Sequence, residues 1–125
     1  MIGISDREIA RWSEPLIADY IYAAYERCSA PSDAATRLGR LHCRLWRCLF
    51  DGETSGARRL RYELLKEAQA LRIAGATLDA IDAAVLEELL DVVMRRSQRS
   101  RALAHADGMT LVNAASALGE IRIAA

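Results

Sequence analysis

Two prolines and seven glycines in 125 residues leave little to interrupt a helix, since proline removes a backbone donor and glycine carries the largest backbone entropy cost. An excess of charge of either sign is also missing. Seventeen Lys and Arg balance seventeen Asp and Glu, which removes the bulk electrostatic case for nucleic acid or an anionic membrane as partner. No uninterrupted apolar run approaches the roughly 18 residues that would suggest a bilayer span. Lysine is nearly absent, Lys66 standing alone beside sixteen arginines, a bias that a GC-rich bacterial genome explains better than function does. Three cysteines, Cys28, Cys43 and Cys48, cannot all pair within one chain, and no charged-then-apolar leader precedes Ser5, so a reducing cytoplasm is expected. The two histidines, His42 and His105, have no second histidine at i+3 or i+4, which excludes a metal site built on one helix face. No phosphate loop, nucleophile elbow or histidine-based dyad is legible, and the chain is not expected to be an enzyme.

What is present is helix former. Apolar residues make up 52% of the chain and alanine is abundant, so an all-α fold is expected, with one core in one domain. Ser5 and Glu8 have capping-box spacing for a short entry helix to about Trp12. Pro15 opens a helix to about Cys28 whose apolar face is Leu16, Ile17, Tyr20, Ile21, Ala24 and Cys28, with Tyr22 and Tyr25 on its flanks. Ser32 and Asp33 offer an N-cap for a helix to about Phe50. Its stripe is Leu38, Leu41, Leu45, Cys48 and Leu49, widened by Trp46 and Phe50, opposite a solvated ridge of Arg37, Arg40, Arg44 and Arg47. Asp51 to Gly56 reads as a turn. The next helix, from Ala57, carries Leu60, Leu64, Ala68 and Leu71 and ends near Ala74 and Gly75, where glycine suits a left-handed cap.

Thr77 caps a fourth helix with the longest stripe, Leu78, Ile81, Val85, Leu89 and Val92 with Val93 at its margin, facing away from Asp79, Asp82, Glu87 and Asp91. It suits either the main core or a dimer seam. The helix is expected to end between Ser97 and Ser100, where Arg95, Arg96, Arg99 and Arg101 complement its dipole. A last helix takes Leu103, Ala106, Leu111, Ala114, Ala115 and Leu118 and stops at Gly119. The alternative is a break at His105 to Gly108. The tail from Glu120 to Ala125 is expected to fray.

Candidate chemistry is sparse. His42 lies near the apolar side of its helix, where a lone histidine is more often a hydrogen-bonded structural residue than a ligand, and His105 is expected at the surface. Cys43 and Cys48 point roughly 140° apart on a helix, which suits small buried side chains better than a redox pair. Trp12 and Trp46 read as core anchors. Glu87, Glu88 and Asp91 read as a solvated face, and the arginine runs of Arg58 to Arg61 and Arg95 to Arg101 as candidate contacts for phosphate or an acidic partner.

Trp46, Leu49, Phe50 and Gly52 form the pattern W-x-x-L-F-x-G, and with it the chain resembles the globin domain of the globin-coupled sensors, including protoglobin-like domains. The resemblance extends upstream to Pro15, Leu16 and Ile17, matching the family's P-x-I segment, and to Tyr25 near its aromatic position. Downstream it takes in Arg72 and Ile73, where the family carries H-x-R-I-G, then Ile81, and Asp107, Met109 and Leu111 in the last helix. It implies a globin-like fold of five to six helices. It also places the family's haem-ligating histidine at Ala70, and neither alanine nor the neighbouring Gln69 can serve iron.

The resemblance therefore implies a haem-free sensor-globin domain for signal transduction, with no cofactor and with a small apolar pocket lined from Trp46, Leu49, Phe50, Leu64 and Ala70. The family's use of its last two helices implies a homodimer through Leu78, Ile81, Val85, Leu89, Val92, Leu103 and Leu111, responding to a protein partner or a small apolar ligand. Two alternatives stand beside it. One is an oxygen sensor that holds haem through His42 or a cysteine; the other is a helical adaptor of unrelated family. A small DNA-binding regulator is weaker, given the zero net charge.

Overall fold

Gly52 is one of the points where the chain turns from one helix into the next. Its φ of +74° places it in the left-handed region after a long helix, and the N–H of Glu53 reaches back to the carbonyl of Cys48 at 2.9 Å. The computed structural model describes residues 14–97 and 101–124. Among them are five helices, α1 Glu14–Arg27, α2 Ser32–Asp51, α3 Thr54–Ala70, α4 Gly75–Ser97 and α5 Arg101–Ala124, with no strand. The all-α expectation holds. The entry helix from Ser5 to Trp12 lies outside the described residues. So do the side chains of Leu16, Val93, Arg96, Arg101, Leu103, His105 and Asp107, and Arg99 altogether.

α2 is the hub, packed along α1, α3 and α5, while α4 packs along α1 and α5. Its buried face is the expected one, with Leu38, Leu45, Trp46, Leu49 and Phe50 enclosed and Leu41 half-buried. Arg37, Arg40 and Arg44 are exposed as the ridge required, and Arg47 is half-buried. The stripe of α4, Leu78, Ile81, Val85 and Leu89, is buried within the single chain, as is Leu111 of α5, and Val92 is partly buried. Of the two roles open to that stripe, these residues fill the intrachain core.

The element ends differ from expectation. α2 is preceded by Pro31, with no side-chain cap, and Ser32 lies inside the helix. The turn shrinks from Asp51–Gly56 to Gly52 and Glu53, because Thr54 to Gly56 form the first turn of α3, whose ladder starts with the Ala57 N–H on the Glu53 carbonyl at 3.0 Å. The first N–H groups of a helix lack intrahelical partners whatever their residue type, so polar Thr54 and Ser55 are tolerated there.

α1 and α3 end on left-handed residues that are not glycine, Ser29 at φ 55° and Arg72 at φ 60°. Each is followed by an N–H that reaches back five residues, Ala30 to the Tyr25 carbonyl and Ile73 to the Ala68 carbonyl. This is the Schellman pattern with a strained occupant. Gly75, the expected cap of α3, instead opens α4, and the Ala74 carbonyl receives the N–H groups of Thr77 and Leu78.

α5 runs unbroken through Gly108 and past Gly119 to Ala124. The tail expected to fray is tied down, since Ile121 is buried in the core and Arg122 pairs with Asp79 of α4 at 2.8 Å.

Candidate functional site

The centre of the molecule is polar. Tyr25 from α1, His42 from α2, Arg61 from α3 and Asp82 from α4 meet inside the apolar core, all essentially out of solvent. Each occupies a stripe position of its own helix: Tyr25 follows Ile21 by one turn, His42 follows Leu38 and precedes Trp46, Arg61 sits between Ala57 and Leu64, and Asp82 between Leu78 and Val85. The backbones therefore aim these side chains inward whatever their polarity.

Their hydrogen bonds form one chain. The Tyr25 hydroxyl bonds His42 Nδ1, the rings meeting edge to face with centroids 5.4 Å apart. His42 Nε2 lies 3.2 Å from Asp82 Oδ1, and Arg61 donates to Asp82 Oδ2 at 3.0 Å. Arg61 also lies 3.6 Å from Asp79, which receives Arg122 of α5. All five helices are thus joined. A neutral imidazole satisfies every partner, with Nε2–H donating to the carboxylate and Nδ1 accepting from the phenol. One guanidinium then balances one carboxylate in the interior, as burial of charge demands. Burial, and after it the nearby Asp82 charge, hold the Tyr25 phenol firmly protonated by raising its pKa.

Two donors beside this chain have no hydrogen-bond partner among the described residues, Trp46 Nε1 and Arg61 Nε. Trp46 packs on Phe50 at 5.7 Å between centroids. At the surface, Arg27 of α1 pairs with Glu87 and Glu88 of α4, and Arg37 of α2 lies 3.9 Å from Glu67 of α3.

Three of these four residues lie elsewhere than the sequence leads one to expect. Asp82 stands in the core, though it was grouped with Asp79, Glu87 and Asp91 on a solvated face, and Tyr25 is central, though it was placed on a flank. Arg61, expected in a run that contacts phosphate or an acidic partner, is buried as the partner of Asp82. His42 is the hydrogen-bonded structural histidine expected.

The residues named for an apolar pocket separate. Trp46 and Leu64 are fully enclosed core residues, and Ala70 is exposed at the end of α3. Leu49 and Phe50 do line a cleft of about 180 Å³, together with Asp51, Gly52 and, from α5, Thr110, Asn113 and Ala117. That is below the roughly 300–1,000 Å³ usual for small-molecule sites, and Asp51, Thr110 and Asn113 are polar members of its lining.

A haem does not fit these residues. Ala70 offers no ligand and faces solvent, and both His42 nitrogens are already engaged. Among the described residues no group of three or more His, Cys, Asp or Glu is arranged to hold a metal ion, and no helix is long and apolar enough to cross a membrane. Cys28, Cys43 and Cys48 form no disulfide with one another. Partial burial, followed by Glu53 and Asp51, raises the pKa of Cys48, which disfavours the reactive thiolate. No protein-family model, curated protein or solved structure matches the chain.

Proposed function

We propose that the chain is a haem-free regulatory domain of the sensor-globin type, acting in signal transduction by pairing the outer face of its α4–α5 hairpin with a second copy. The observation that carries this reading is a set of exposed apolar side chains, Leu90 and Met94 on α4 and Met109 and Val112 on α5. The Asp79–Arg122 pair sets the antiparallel register of the two helices. In that register Leu90 lies level with Leu111 and Val112, and Met94 and Met109 fall within one turn of them. The four residues therefore share one stretch of the hairpin, on faces turned away from the buried Leu89 and Leu111. Apolar side chains clustered in this way mark interaction surfaces more often than scattered ones do.

The surface differs from the seam expected from Leu78, Ile81, Val85, Leu89 and Leu111, which are spent inside the chain. Support for the sensor-globin scaffold is the W-x-x-L-F-x-G segment, whose glycine closes α2, while Ala70, with no ligand to offer iron, supports only the haem-free part of the reading. The central polar chain occupies the interior with hydrogen-bonded side chains, which favours a cofactor-free domain over the haem-binding alternative. An adaptor that uses the same face on a different protein is the competing reading.

Sedimentation equilibrium on the wild type and on a Leu90→Glu/Val112→Glu variant separates the two. A concentration-dependent dimer, abolished in the variant with its helical circular dichroism unchanged, is the expected result. A wild type that stays monomeric up to its solubility limit would refute self-pairing.

A further inference from the structure

The central chain has one member whose hydrogen-bonding character reverses with a single proton. Histidine ordinarily changes charge between about pH 5 and pH 8, and His42 sits where both ring nitrogens are committed. With a neutral ring the direction of each bond is fixed: the Tyr25 hydroxyl donates to Nδ1, and Nε2–H donates to Asp82.

A second ring proton reverses the first of these bonds. Nδ1 becomes a donor, so the Tyr25 oxygen must accept, and the phenolic hydrogen loses the partner it had. The phenol cannot relieve the conflict by ionising, because its surroundings hold it protonated. The Asp82 bond survives, since Nε2 remains a donor. A proton on His42 therefore acts selectively on the link between α1 and α2 and leaves the α2–α4 link in place.

The charged groups around the ring do not absorb the added charge. From α1 comes neutral Tyr25, with Tyr22 and, on α2 itself, Cys43 near its phenol. From α4 comes Asp82, already neutralised by Arg61 of α3. Farther out, Asp79 of α4 is shared between Arg61 and Arg122 of α5. Two carboxylates already face two guanidinium groups, so an imidazolium brings an unbalanced positive charge into a site with 0% exposure at His42.

We infer that the Tyr25–His42 contact is a proton-sensitive latch that holds α1 against the rest of the core when the ring is neutral and releases it when the ring is protonated. It does not depend on self-pairing through α4 and α5. The latch ties the end of α1 nearest Ser29, where the chain already adopts a strained left-handed turn. The ion pairs of α1 with α4, Arg27 with Glu87 and Glu88, are exposed and screened, so with the latch open α1 is held by the apolar packing of Ile17, Ile21 and Ala24.

The test uses the full chain labelled with ¹⁵N, taken from about pH 7.5 to about pH 5. Ring nitrogen shifts of His42 report its tautomer and protonation, and amide exchange, corrected for its intrinsic pH dependence, reports the protection of α1 relative to α3. The expected result is a neutral Nε2–H ring at the upper pH, and a loss of α1 protection of about tenfold or more as the ring takes up its second proton. Tyr25→Phe, which keeps the ring packing and removes the hydroxyl, should abolish the pH dependence. His42→Gln, which cannot be protonated, should do the same if the phenylalanine variant folds poorly. The inference is overturned by α1 protection that ignores pH, by a ring that stays neutral to the acid end, or by an undiminished response in the variants.

Discussion

His42 Nε2 lies 3.2 Å from Asp82 Oδ1 across α2 and α4, with side-chain exposures of 0% and 1%. α4 packs its backbone along α1 and α5, and this contact with the neighbouring Arg61–Asp82 pair adds polar links from α4 to α2 and α3. Hydrogen bonds of this kind are directional, and they fix the register of α4 more tightly than apolar packing alone.

Removing Asp82 should therefore be costly. Asp82→Ala leaves the Arg61 guanidinium buried beside an empty position, and a loss of about 3–5 kcal/mol is expected from urea unfolding. Asp82→Leu combined with Arg61→Met removes both charges and restores apolar volume, and it should recover most of that loss. A double variant no more stable than Asp82→Ala would show that the pair is not a mutually compensating unit.

Tyr25 supplies a pH dependence on the alkaline side. Its folded-state pKa is raised above the ordinary value of 10.0, by burial first and then by Asp82. The neutral form is therefore favoured by folding, and the stabilisation is fully present below pH 10. Above that, the unfolded chain releases the Tyr25 proton while the folded chain keeps it, and stability should fall by up to about 1.4 kcal/mol per pH unit. Tyr25→Phe should be less stable than wild type near neutrality by about 1–3 kcal/mol, because His42 loses its donor. Its stability should also fall less steeply above pH 10. Parallel alkaline limbs in the two proteins would contradict this.

The α1–α2 contact has a steric requirement at Gly39. A β-carbon there would run into the Tyr22 ring at Cε1, with Cζ only 2.9 Å away. Gly39→Leu should destabilise the fold by about 1–3 kcal/mol, and Tyr22→Ala in the same background should return a large part of it. A double-mutant cycle from thermal unfolding measures that coupling; additive effects would place the strain elsewhere.

The sequence makes the helices and their apolar faces legible because burial and helical period reinforce each other along α2 and α4. Their ends are less legible, because left-handed caps fall on Ser29 and Arg72, residues with no intrinsic preference for that conformation, while Gly75 and Gly119 sit in helices. The polar centre escapes a reading that turns every charge outward. The signal was nonetheless present. Asp82 keeps the spacing of Leu78, Val85 and Leu89, and Arg61 that of Ala57 and Leu64, so each charge occupies a position its helix directs inward. What no single helix could reveal is that these two positions, with His42 and Tyr25, converge on one point.

The central claim is that the proposed haem-free domain has a polar centre closed to haem, held by Tyr25, His42, Asp82 and Arg61. Titrating the purified protein with haemin and recording the absorption spectrum tests it most directly. The expected result is an unstructured, non-saturating signal with no sharp Soret band, the same for wild type and for His42→Ala. A stoichiometric Soret complex in the wild type that disappears in His42→Ala would contradict the claim, because it would require His42 to leave Tyr25 or Asp82 and bind iron.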